Sequence, residues 1–114
     1  MARKKKFTTT RHTIRIRVEG GVIHYDLSPN DDQGKSVKVH AGETVKWKAS
    51  GNLSFIILFA KAGTPFAELL FGGSTGQDSQ TAIVQPGKAH FPYFALVSVN
   101  GGATLVDDPE IIVT

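Results

Sequence analysis

The chain has 114 residues, 13 Lys+Arg against 10 Asp+Glu, and no cysteine. That length suits a single domain with its own core. The lack of cysteine excludes disulfides, thiolate-held metal and cysteine nucleophiles together. The net charge of +3 is unevenly spread: residues 1–48 carry eleven of the basic residues and five of the acidic ones. Any anion-binding surface is therefore expected in the first half.

Residues 1–10 are basic, threonine-rich and nearly devoid of apolar groups, the composition of a disordered arm, with Arg3, Lys4, Lys5 and Lys6 in a cluster. "MARKKKF" has the charge of a signal-peptide start, but the 7–15-residue apolar stretch that should follow is missing. No segment approaches the roughly 20 apolar residues of a membrane span. A soluble cytoplasmic chain is expected.

"HTIRIRVEG" alternates with period two, Ile14, Ile16 and Val18 on one side and Thr13, Arg15 and Arg17 on the other, which predicts a half-buried strand. Gly20 and Gly21 break or bulge it, "VIHYDL" is a second strand, and "PNDDQG" is a loop. "SVKVH" and "TVKWKA" flank the turn "AGE". They turn Val37, Val39, Val45, Trp47 and Ala49 inward and Lys38, Lys46 and Lys48 outward. "LSFIILFA" is apolar on both sides, as in a strand covered on both faces or one whose outer face meets another element. "GTPFAELLFGG" has helical character, with Thr64 as cap, Pro65 at the first position and Gly72–Gly73 as stop, and forms one or two turns at most or an irregular loop. "QTAIVQ", "AHFPYFALVSV", "ATLVDD" and "PEIIVT" complete the strands. The expected fold is all-β: a Greek-key sandwich of seven to nine strands over residues 11–114, with at most one short helix.

Within this pattern "VKVHAGETVKWKAS", "FIILF", "QPGKAHFPYFA" and "PEIIV" stand in an order and spacing that resembles the cupredoxin-like sandwich of plastocyanin and azurin. The resemblance covers residues 36–114 and implies that fold. It also implies where copper ligands would stand, and they are absent. Ser54 or Phe55 takes the place of the first histidine, Ala95 that of the cysteine, Val99 or Asn100 that of the second histidine, and Asp107 or Asp108 that of the methionine. Type 1 copper requires two histidines and a cysteine, so blue-copper electron transfer is excluded and no cofactor is expected.

The four histidines form no i, i+4 pair and no H-x-H pair, which leaves a site shared by His24 and His90 as the one metal arrangement to consider. Asp31–Asp32 and Asp107–Asp108–Glu110 lack the spacing of a calcium loop. "GGSTGQDS" is neither a nucleophile elbow nor a phosphate-binding loop. The chain is therefore not read as an enzyme.

Two surfaces remain. Arg15, Arg17, Lys38, Lys46 and Lys48, with the arginine and lysines of the arm, would form a basic outer face able to bind nucleic acid or another polyanion. "FIILF", "PFAELLF" and the doubly apolar "FPYFAL" offer more apolar surface than a small sandwich buries. Phe66, Leu69, Leu70, Phe71 and Phe94 are thus candidates for contact with a protein partner or a second copy. Alternatively, "PFAELLF" folds over the open end of the sandwich and becomes core. The leading expectation is a copper-free, cupredoxin-like binding or assembly module. A polyanion-binding β-domain and a small non-blue metal-binding protein are the alternatives.

Overall fold

A computed structural model describes residues 10–28, 35–99 and 102–114. Among these there is no helix, and eleven strands account for the regular structure. The strands are β1 (Arg11–Glu19), β2 (Val22–Ser28), β3 (Ser36–Val39), β4 (Thr44–Ala49), β5 (Leu53–Leu58), β6 (Leu70–Ser74), β7 (Ala82–Ile83), β8 (Ala89–Pro92), β9 (Phe94–Val99), β10 (Thr104–Asp107) and β11 (Glu110–Val113). Apart from Thr10, the arm lies outside the described residues, as does most of the loop after β2.

Local chemistry sets the hairpins. β1 and β2 pair antiparallel with Glu19 opposite Val22, so the loop is Gly20–Gly21 alone. Their φ values of 63° and 77° are those of a type I′ turn, in which the twist of the turn matches that of the strands and glycine is favoured at both positions. The pair is thus a continuous hairpin, with no break or bulge in it.

Hydrogen bonding gives the strand orders β2-β1-β4-β7, β10-β9-β5-β6 and β3-β11-β8. The last two belong together. Ala95 of β9 faces Asp107 of β10 and Pro92 of β8 faces Glu110 of β11, which is one unbroken register. β8–β9 and β10–β11 are therefore the arms of one long hairpin, interrupted at Tyr93 and Pro109. There the Tyr93 N–H still donates to the Pro109 carbonyl at 2.9 Å. The molecule is a sandwich-like pair of layers, β2-β1-β4-β7 against β3-β11/β10-β8/β9-β5-β6. β1 with β4, and β3 with β11, are parallel pairs.

The core follows the alternation. Ile14 and Ile16 of β1, Val45 and Trp47 of β4, Phe55 and Ile57 of β5, and Ala95 and Val97 of β9 are buried between the layers. Trp47 sits among Phe59, Phe66, Phe71 and Tyr93, with ring centroids 5.1–6.2 Å away. The edge-on and tilted packing is the arrangement favoured by aromatic quadrupoles. Its indole N–H points to the Tyr93 hydroxyl at 3.3 Å.

Two expectations are corrected. Of the short helix and the irregular loop expected at 64–73, the structure has the loop over residues 64–69, and the expected glycine stop falls inside strand β6. Thr64 Oγ1 accepts from the Phe66 N–H at 3.0 Å and donates to the Glu68 carbonyl at 2.7 Å, closing a tight loop. Neighbouring strands take up the backbone groups that a helix would have used: the Phe59 N–H donates to the Leu69 carbonyl, and the Gln85 N–H to that of Pro65. This lets Phe66 drop into the core, and residues 70–74 then continue as β6. The strand count rises from the expected seven to nine to eleven because β6 is added and the "AHFPYFALVSV" strand divides at Tyr93. Gly73 is a strand residue, not a helix stop. A Cβ there would lie 2.6 Å from the Phe55 ring and 2.6 Å from the Gln77 carbonyl oxygen.

Candidate functional site

Each layer turns one face to solvent, and the two outer faces differ in chemistry. On the second layer, the outward positions of β10, β9, β5 and β6 fall in rows fixed by the register. Val106 lies opposite Leu96, Leu96 opposite Ile56, and Ile56 opposite Gly72. In the next row Phe94 lies opposite Leu58 and Leu58 opposite Leu70. The row on the other side is hydroxylic: Thr104, Ser98, Ser54 and Ser74, with Ser98 and Thr104 hydrogen-bonded to each other at 3.0 Å. Val106 is 63% exposed, Leu70 59% and Ile56 48%. None of these outward positions is ionisable. The nearest charges stand at the rim, where the Lys61 ammonium lies 5.1 Å from the Phe94 ring centroid and 3.8 Å from Asp108 Oδ2.

Of the residues singled out for partner contact, Leu70 and Phe94 lie on this face, and Leu69 is exposed beside it. Phe66 and Phe71 do not: both are buried in the aromatic cluster. Segment 64–71 therefore divides, its phenylalanines serving as core and its leucines as surface. Ile56, Leu58, Leu96 and Val106 were not singled out. The available signal was that "FIILF" and "FPYFAL" are apolar at both parities, so one parity had to face outward.

On the first layer the outward residues are mostly polar, with Val22 and Ile83 exposed on the outer strands. The parallel pairing sets Arg15 beside Lys48, Thr13 beside Lys46, and Arg11 beside Thr44. The remaining basic residues are not equivalent. Arg17 is held by Asp26 at 2.7 Å and by Glu19 at 2.7 Å, and these bonds raise its pKa further. Lys46 is paired with Asp78 at 3.0 Å. Lys38 belongs to the other layer, where β3 pairs with β11 and Lys38 lies beside Ile112. The single basic surface expected of Arg15, Arg17, Lys38, Lys46 and Lys48 is thus divided between two faces and partly neutralised. Arg3, Lys4, Lys5 and Lys6 lie outside the described residues.

Titratable groups between the layers serve structure. Tyr25 donates to Asp107 at 3.0 Å, and Asp107 also meets Lys35 at 3.2 Å. Burial would raise the Asp107 carboxyl, but the Asp108 N–H, Lys35 and the Tyr25 hydroxyl together hold it below its ordinary range. Glu43 behaves alike: burial pushes it up, while His12 and the His40 N–H bring it below normal. Tyr25 and Tyr93 are both pushed well above an ordinary phenol, chiefly by burial.

His24 lies on the outer face of the first layer opposite Arg17, and His90 on the second layer opposite Ile112, so they do not meet. Among the described residues no three His, Asp or Glu side chains gather as metal ligands. Among them also, no helix is long and apolar enough to cross a membrane. No family model matches the chain, and no curated protein matches it.

Proposed function

We propose that the chain is a copper-free, cupredoxin-like sandwich serving as an assembly module, and that it associates with a second copy through the outer face of β10-β9-β5-β6. The observation that carries this reading is the continuous apolar row Val106–Leu96–Ile56, flanked by Phe94, Leu58 and Leu70. Contiguous apolar surface of this kind marks interaction sites on otherwise polar proteins. A second copy suits it because the face carries no ionisable side chain. Two such faces meet without like-charge contact and without stranding a buried ion.

The cupredoxin-like part rests on the order of sequence features, the two-layer architecture and the tryptophan core. The positions where that resemblance would place copper ligands hold packing groups instead. Phe55 and Ala95 are buried, and Asp107 is engaged by Tyr25 and Lys35. What such a scaffold retains is its surfaces.

Four strands about 4.8 Å apart and three rows about 6.8 Å apart cover on the order of 400 Å² per copy. Two copies bury roughly 800 Å², below the roughly 1,200–2,000 Å² of stable specific interfaces, so the association is weak and transient. Sedimentation velocity from micromolar to millimolar protein tests it. A rise in the sedimentation coefficient with concentration is expected, and a strict monomer across that range refutes the proposal.

A further inference from the structure

The first layer holds a discrete cleft of about 440 Å³, lined by Arg11, His12, Thr13, Thr44, Lys46 and Thr81. Its origin is a departure from regular pairing at the sheet edge. Val45 pairs with Ala82, and the next bonds join Trp47 to Ser79: the Ser79 N–H donates to the Trp47 carbonyl at 2.9 Å and the Trp47 N–H donates to Ser79 Oγ at 2.8 Å. Two residues, Gln80 and Thr81, therefore stand against one, Lys46. That is the count of a β-bulge, which bends an edge strand and re-aims its side chains. The bulge bows the edge away at Lys46, while the parallel pairing on the other side brings Thr13 beside Lys46 and Arg11 beside Thr44.

The lining is two cations, three hydroxyls and the His12 imidazole, with no carboxylate among the lining residues. Arg11 has no carboxylate partner among the described residues, in contrast to Arg17 on the same strand. Glu43, behind His12, already accepts from the His12 ring and the His40 N–H. Among the described residues Asp78 alone competes for Lys46, from 3.0 Å. A guanidinium, an ammonium and hydroxyls on residues that line one hollow are the groups that hold a tetrahedral oxyanion through charge-assisted hydrogen bonds. The volume is that of a small-molecule site rather than of a single ion.

We infer that this cleft binds a phosphate or sulfate group carried on a small molecule. Arg11 and Lys46 supply charge, and Thr13, Thr44 and Thr81 supply hydroxyl donors. On binding, Lys46 turns from Asp78 to the anion. The site lies on the opposite layer from the proposed assembly face and does not depend on it.

Amide chemical shifts of the full chain, titrated with inorganic phosphate, inorganic sulfate and glycerol phosphate, test this. Sodium chloride of equal ionic strength is the control. Saturable shifts centred on Arg11–Thr13, Thr44–Lys46 and Thr81 are expected, and the arms rank phosphate against sulfate. Arg11→Gln and Lys46→Gln should each weaken binding by about tenfold or more, the loss of one charge-assisted bond. Asp78→Asn should tighten it several-fold by releasing Lys46, an effect that a merely structural role for Asp78 would not produce. Arg15→Gln, on the same face but outside the cleft, should leave affinity unchanged. Shifts reproduced by chloride, a loss with Arg15→Gln equal to that with Arg11→Gln, or no saturation at millimolar anion would each overturn the assignment.

Discussion

Ile56→Lys is the sharpest perturbation of the proposed assembly face. Ile56 lies in the middle of the apolar row, between Leu96 and Gly72, and about half of it is exposed. Fully burying an isoleucine is worth roughly 1.5–3 kcal/mol, so covering the exposed half contributes about 1 kcal/mol per copy. A lysine in its place brings an ammonium with no carboxylate opposite. Stranding a charge in a buried contact costs about 3–5 kcal/mol, and two-fold symmetry applies the cost twice. The sum exceeds what an interface of this size supplies, so association should vanish. The fold itself should be indifferent, because the site is on the surface and such substitutions stay within about 0.5 kcal/mol. The assay is sedimentation velocity on wild type and variant over the same concentration series, with urea unfolding of the variant as a check on the fold. Arg15→Gln, on the opposite layer, is the control. If Ile56→Lys leaves the concentration dependence of wild type unchanged, this face is not the contact and the reasoning fails.

Gly73→Ala should lower stability by about 1–3 kcal/mol in urea unfolding, because the added methyl meets both the Phe55 ring and the fixed Gln77 carbonyl. Gly72→Ala, whose Cβ would lie 3.5 Å from the Phe55 carbonyl oxygen, should be far milder. Since the folded state holds Tyr25 and Tyr93 above an ordinary phenol, the unfolded chain releases these protons first. Stability should therefore fall as pH rises above about 10, by up to roughly 2.7 kcal/mol per pH unit with both groups, and tyrosinate absorbance should appear only with unfolding. Tyr25→Phe should reduce that slope. Glu43 and Asp107 are held below their ordinary range, so their contribution is present above the unfolded carboxylate pKa of about 4 and is lost as pH falls further. Asp107→Asn should flatten the acid limb of thermal unfolding measured against pH.

Much of the fold is legible in local pattern. Alternation alone assigns Ile14 and Ile16, Val37 and Val39, and Val45, Trp47 and Ala49 to the core, and all are buried. Helical character misleads at 64–73, because Thr64, Pro65 and the glycines satisfy the local rules for a capped helix. Tertiary demands override them: the core takes Phe66 and Phe71, and β5 takes the backbone of Leu70–Ser74 as a pairing partner. The candidate surfaces were half visible. "FIILF" and "FPYFAL" announce an apolar surplus, yet which parity faces out depends on the layer each strand joins.

Period two is a property of single strands, so the sequence by itself determines that the chain is β and which side of each strand is apolar. Neighbours across a sheet are a property of pairs distant in the chain, and only the tertiary structure decides them. β3 and β4 are consecutive and share a tight turn, but they enter different layers, which removes Lys38 from Lys46 and Lys48. β1 instead pairs in parallel with β4, and that nonlocal register creates the Arg11–Thr44 and Thr13–Lys46 juxtapositions of the cleft. Backbone hydrogen bonds between remote strands, not the order of residues along one of them, set where the charged and apolar side chains meet.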